Sequence, residues 1–268
     1  MTKWPALLAG VVITSSPAFA ETIEITFGNF TGEWLNAVTS DGGDSTSTSG
    51  TETDPVLSWG RPATSEGQSS YTFESEAAFT TLFDSSAETS DIFNLGTFTH
   101  SNNPIYSPTL VSVDLKLTTT VQVGDLEAAP VEFLFSFSHD ETPNSASPCK
   151  YDDSTQPGVN DNGCADSITL TSSLFTQTFT IGNTDYTIAI EGFKVGETTV
   201  DSFLTKEKAD NEAIIIAKVT SYEAIVTGGG ESGTPTDVPE PEHTAIAGLL
   251  FSLYGGRRWS ARKRRMPL

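Results

Sequence analysis

The sequence predicts an all-β chain, a single β-sandwich or jelly-roll-like domain, on three observations. Apolar and polar residues alternate over short stretches, the period of a half-buried strand. Thr, Val, Ile and Phe dominate those stretches, and these side chains suit a pleated surface. Gly, Pro, Asn and Asp punctuate the chain so often that roughly 210 residues divide into many strands and turns.

The elements follow in order. ETIEITFGNFTG (21–32) alternates as a first strand and closes in a Gly-bearing turn. AVTSDGGDSTSTSGTETD (37–54) is a polar low-complexity loop with nothing to bury, and its Asp-Gly-Gly-Asp stretch reads as a turn, with a weak cation ligand set as the alternative. PVLSWGRP and SSYTFESEAAF read as short strands. TLVSVDLKLTTTVQV places Val111, Val113, Leu115 and Leu117 on one face, and PVEFLFSFSHD sets Phe133, Phe135 and Phe137 against Leu134, Ser136 and Ser138. SITLTSSLFTQTFTIG, DYTIAIEGF and NEAIIIAKVTSYEAIV continue the pattern. Only TKEKADNE (205–212) has helical character, over about two turns.

Both ends stand apart from this domain. MTKWPALLAGVVITSSPAFA has a lysine, an apolar run and small residues at Ala18 and Ala20, the form of a secretory signal peptide cleaved after Ala20. A buried N-terminal helix is the alternative, and Ser15-Ser16-Pro17 would break it. The sandwich then spans 21–226, a Gly/Pro/Thr linker 227–238, and a terminal segment 239–268. Thr244 to Tyr254 is apolar enough to enter a bilayer as a transmembrane helix, though short of the ~20 residues that a span needs. Arg257, Arg258, Arg262, Lys263, Arg264 and Arg265 would hold its end on the cytoplasmic side. Such a segment is either a sorting tail or a weak anchor.

Charge and cysteine narrow the function. Of the 35 Asp+Glu, 33 lie between Glu21 and Val238, with seven of the 14 Lys+Arg. A body this acidic repels phosphate backbones, which makes nucleic acid a poor partner. Cys149 and Cys164 are the chain's two cysteines. In an exported chain such a pair reads as one disulfide, worth about 3 kcal/mol for a relaxed loop of this length. Their spacing is wrong for a zinc knuckle.

Chemistry-bearing residues gather at strand edges. His100 sits in Thr99-His100-Ser101-Asn102 before Pro104, and His139 beside Asp140 and Glu141. The loop to Cys164 carries Asp152, Asp153 and Asp161, with Asp166 just beyond. These hard oxygens are a candidate Ca²⁺ set, although their spacing is not that of an EF-hand; the alternative is a hydrated acidic loop. Zinc would need both histidines and a carboxylate together in space. GxSxG is absent and no nucleophile stands beside a base in the sequence, so no enzyme is expected. Thr99–Pro104 reads as a loop-fixing corner, with Asn and Ser bonding nearby backbone and the imidazole bridging two segments. The alternative is a ligand site.

Two stretches resemble a known family. Pro239-Glu240-Pro241, an apolar segment and a terminal basic cluster resemble the PEP-CTERM sorting signal of bacterial exported proteins, which exosortase reads. Thr99, His100 and Asn102, with His139, Glu141 and Asn144, resemble the signature of the THxN family of PEP-CTERM proteins, relatives of the choice-of-anchor domains. The resemblance implies an exported, sorted β-rich domain of a bacterial cell surface, without an established enzymatic activity.

The expectation is a secreted or cell-surface structural or adhesive protein. Its partners would be exosortase and extracellular polysaccharide, and it would meet the membrane only through its C-terminal tail. A Ca²⁺-dependent carbohydrate-binding module is the alternative. It would stack sugars on exposed aromatics drawn from Trp34, Trp59, Tyr71, Tyr106 and Tyr151.

Overall fold

The structure is a computed structural model that describes residues 22–154, 156–171, 176–181 and 184–223. Among these residues every regular element is a strand. The first six are β1 (Thr22–Phe27), β2 (Thr31–Thr39), β3 (Ser47–Gly50), β4 (Pro55–Trp59), β5 (Arg61–Pro62) and β6 (Ser69–Ser75). Next come β7 (Phe79–Asp84), β8 (Thr89–Ser90), β9 (Phe93–Asn102), β10 (Ile105–Tyr106), β11 (Leu110–Val123) and β12 (Ala129–Asp140). The last are β13 (Asp166–Leu170), β14 (Thr176–Ile181), β15 (Thr184–Val195), β16 (Thr198–Val200), β17 (Ser202–Thr205) and β18 (Ala209–Glu223).

The main path of a 16-stranded sheet runs β17-β13-β12-β11-β1-β7-β8-β18-β9-β6-β4-β3; off this path β2 pairs with β11, and β15 pairs with β14, β16 and β18, while β5 and β10 pair separately. Two long strands organise it. β11 pairs with β12 along one edge and with β2 and β1 along the other. β18 pairs with β15 on one side and with β9 and β8 on the other. Aromatic contacts join the two regions in a sandwich-type arrangement. Phe98 of β9 lies 5.2 Å from Phe137 of β12, and Phe137 lies 6.0 Å from Phe193 of β15.

Alternation in β12 buries Val131, Phe133, Phe135, Phe137 and then His139 on one face. In β11 the expected face needs one change. A register irregularity between Leu110 and Ser112 turns Val111 to solvent and lets Leu110 and Val113 enter the core together. A bulge of this kind adds a residue and breaks the period of two.

Two expectations are corrected. Residues 205–212 are not helical: β17 ends at Thr205, Lys208 turns the chain with φ at 56°, and β18 starts at Ala209. The Lys206 N–H donates to Asn211 Oδ1 at 2.7 Å, which gives that backbone group a partner within the turn. Nor is the expected transmembrane helix found, because no helix among the described residues is long and apolar enough to cross a membrane. Thr244–Tyr254, on which that expectation rested, lies outside the described residues. So do the signal peptide 1–20, the linker 227–238 and the sorting residues Pro239, Glu240, Pro241, Arg257, Arg258, Arg262, Arg264 and Arg265.

Candidate functional site

Strand pairing carries a run of polar residues into one end of the core. Thr99–Asn102 forms the last part of β9 and is no corner; the chain leaves the strand only after Asn102. β9 is held on both sides there, with His100 opposite Tyr71 of β6 and opposite Asn211 of β18. The pleat therefore continues the inward series Leu95, Phe98 into His100 and Asn102, both 0% exposed. Thr99, pointing the other way, is half-buried.

His100 Nδ1 lies 3.0 Å from Thr205 Oγ1, and Asn102 Nδ2 donates to the Thr205 carbonyl at 3.2 Å. Thr205 is the last residue of β17 and pairs with Asp166, the first residue of β13. His139 enters the same space from the end of β12. Trp59, Tyr71, His100 and His139 form a box of four buried rings. The two imidazoles meet edge to face at 5.1 Å, and Trp59 stacks on His100 at 5.5 Å.

A proton-bearing chain runs through this box. Burial first, then the charges of Asp166 and Glu141, push the Tyr71 phenol well above its usual range, so it donates to His139 Nδ1 at 2.6 Å. His139 Nε2–H then donates to Glu141 Oε2 at 3.1 Å. Burial lowers both histidines; His139 lowers His100 further, while the charges of Asp166 and Asp140 act in the opposite direction on His139.

Carboxyl groups line the far side. His139, Glu141 and Asp166 each place one ligating atom within 4.8 Å of the others'. Asp166 Oδ1 accepts the Thr142 N–H at 2.6 Å, while its Oδ2 is buried without a partner. Glu207, in the β17–β18 turn, is 0% exposed with both carboxylate oxygens unpartnered, and the Asn144 Oδ1 is buried unpartnered as well. A Cβ built at Gly163 would stand 3.0 Å from both Asn144 Oδ1 and Glu207 Cγ, so the glycine leaves room where these two meet.

Burial, the largest cause, raises Glu141 to about 7, with the Trp59 indole N–H lowering it in part though short of hydrogen-bond geometry. Burial and the Glu141 charge raise Asp166 to about 8. Burial and the same charge raise Glu207 to about 7, while Asn144 pulls the other way. Three acids thus face one another at a place where each resists ionising.

The disulfide holds this end together. Cys149 and Cys164 are bonded, with Cα atoms 5.3 Å apart. Cys164 and Ala165 are buried, and their carbonyls both accept from Thr142 Oγ1 at 3.1 Å, which fixes Asp166 two residues beyond the bridge.

The predicted calcium set does not assemble. Asp152, Asp153 and Asp161 are exposed and separately engaged, and among the described residues only Asp166 of that set joins a ligating group. Asp152 accepts from the Ser154 N–H at 2.9 Å, Asp153 from Asn160 Nδ2 at 2.7 Å, and Asp161 from Lys206 Nζ at 3.1 Å. Short polar side chains bond their own loop here in preference to converging. Trp34, Trp59 and Tyr71 are buried, which removes them from any sugar-stacking face; Tyr106 is exposed and Tyr151 half-buried against Asp140.

The chain matches no family model and no curated protein. What the site does must be argued from its own atoms. Glu207 and Thr205 were not singled out from sequence, and Trp59 only as a candidate sugar-stacking aromatic, because their partners here lie on strands far away in the chain. His139 carried a readable signal: it continues the inward series Phe133, Phe135, Phe137.

Proposed function

We propose that the chain is an exported, non-enzymatic structural protein of the cell surface or extracellular matrix, a jelly-roll-like sandwich whose polar motif residues serve its own fold. The observation that supports this best is the inward placement of His100 and Asn102. Both bind Thr205, more than a hundred positions later, and neither faces solvent. A histidine and an amide so placed tie two distant strands and contact no outside molecule. The Cys149–Cys164 bond agrees with an oxidising compartment, and the acidic exterior with solubility outside the cell.

In this reading the segment 239–268 is the address that exosortase reads, and the body associates with exopolysaccharide. The test is expression of the full chain in an exosortase-bearing bacterium, followed by fractionation and mass spectrometry. The expected product lies outside the cytoplasm, begins at Glu21, and resists thiol alkylation until reduced. A product retained in the cytoplasm with residues 1–20 intact and both thiols free overturns the proposal.

A further inference from the structure

We propose that His139, Glu141 and Asp166 hold a divalent first-row metal ion of the Zn²⁺ or Mn²⁺ class. The inference stands apart from the export reading, since it depends only on the geometry of the buried end.

Three observations carry it. The first is the donor set: one imidazole and two carboxylates, each with a ligating atom within 4.8 Å of the others. In a loaded site ligand atoms at ~2.1 Å from the ion stand no more than about 4.2 Å apart, so the group needs only a small contraction. The second is the unpartnered oxygen: Asp166 Oδ2 and both oxygens of Glu207 belong to residues 0% exposed and have no hydrogen-bond partner. Buried carboxylates are normally paired or bound to a metal. The Glu141 charge acts on Glu207 and the Glu207 charge on Asp166, but Glu207 lies outside the group whose ligating atoms come within 4.8 Å of one another, so Asp166 Oδ2 is the unpartnered oxygen within that group. The third is the support behind the imidazole. Tyr71 holds His139 Nδ1 at 2.6 Å, the outer contact that orients a metal-binding histidine.

Loading asks little of these groups. His139 Nε2–H now donates to Glu141. When the ion takes Nε2, the ring proton moves to Nδ1 and Tyr71 Oη becomes its acceptor. The carboxyls bind as carboxylates and release whatever protons they carry. Entry is available from one side: Glu141, Thr142, Pro143 and Asn144 line an open groove of about 570 Å³. The imidazole is what separates this ion from Ca²⁺, which takes oxygen ligands throughout.

The test uses the purified protein stripped with chelator, then dialysed separately against Zn²⁺, Mn²⁺ and Ca²⁺ and analysed for metal content and melting temperature. One Zn²⁺ or Mn²⁺ per chain is expected, with Tm raised by about 5–10 °C at ~100 times Kd. Glu141→Gln, close to isosteric and at the groove edge, should weaken binding by ~100-fold or more. Replacing Asp152 and Asp153 with Asn should leave it unchanged, which separates the buried site from adventitious ions on the acidic loop. The proposal is overturned by no bound ion, by a Ca²⁺ response equal to that of Zn²⁺ and Mn²⁺, or by full binding in E141Q. Circular dichroism of that variant shows whether it is folded; if it is not, His139→Gln and Asp166→Asn are measured by the same criterion, and unaltered binding in either folded variant overturns the proposal.

Discussion

Metal-free protein should lose stability as pH rises from 6.5 towards 8, the reverse of what buried, well-paired carboxylates would give. The groups facing the cluster are Tyr71 from β6, His100 from β9, His139, Asp140 and Glu141 from β12 and its end, Asp166 from β13, and Glu207 with Lys208 from the β17–β18 turn. Above pH 6.5, the ordinary histidine value, both imidazoles are neutral in the fold and mostly neutral in the unfolded chain. Their opposing contribution is about half a proton each at pH 6.5 and fades by pH 8, so it reduces the carboxyl effect without reversing it. Glu141 and Asp166 have folded values raised to about 7 and about 8, against 4.5 and 3.8 when unperturbed. Over this window the fold therefore holds protons that the unfolded chain has already released, and stability falls as pH rises. Each such proton is worth about 1.4 kcal/mol per pH unit, and the two together give a loss on the order of 2 kcal/mol by pH 8. Glu207 acts in the same direction. Urea unfolding in EDTA at several pH values measures this directly. Below 6.5 the depressed histidines bind protons on unfolding and oppose the carboxyls, so the slope should flatten there. E141Q should shrink the slope above 6.5. Stability that is flat or rising between 6.5 and 8 in the chelated wild type would refute the reasoning.

Other expectations concern the parts that build the site. Replacing Cys149 and Cys164 with serine should cost about 3 kcal/mol, seen as a lower urea midpoint, and a loss near zero would mean that the loop is held without the bridge. Tyr71→Phe leaves His139 Nδ1 buried without its donor and should cost about 1–3 kcal/mol in the same assay, with little change if water replaces the phenol. Gly163→Ala meets both a φ of +145° and contacts at 3.0 Å from Asn144 and Glu207; a loss of about 1–3 kcal/mol is expected, and wild-type stability would show that the turn can relax.

Much of the sheet was legible because its signal is local. The Phe133, Phe135, Phe137 alternation in β12 needs no partner to be recognised, since the pleat sets it. Thr99–Asn102 was misread for the opposite reason. Ser, Asn and the nearby Pro favour a turn when weighed alone, but β6 and β18 flank this stretch and pair with it through His100. Two neighbouring strands outweigh a local preference. Asp166 was legible as a candidate ligand, but its companions were sought in the same loop. They come instead from the end of β12, which the pairing of β13 with β12 brings alongside.

The location of the buried acids follows from the same topology. A carboxyl in an apolar interior costs several kcal/mol unless it is neutralised, paired or bound to an ion. Deeper in the sandwich, among Phe98, Phe137 and Phe193, nothing would meet that cost. At the end of the core Tyr71 stands between the two regimes, its ring 4.7 Å from that of Phe98 and its hydroxyl on His139, which in turn meets Glu141. The disulfide ties Cys149 to Cys164, two residues before Asp166, whose side chain is buried. Near neutral pH the protons that Glu141 and Asp166 retain balance part of this charge, and the proposed cation would balance it without them. Polar residues that look like defects in a hydrophobic core are, on this account, what makes the end of the core respond to its ionic surroundings.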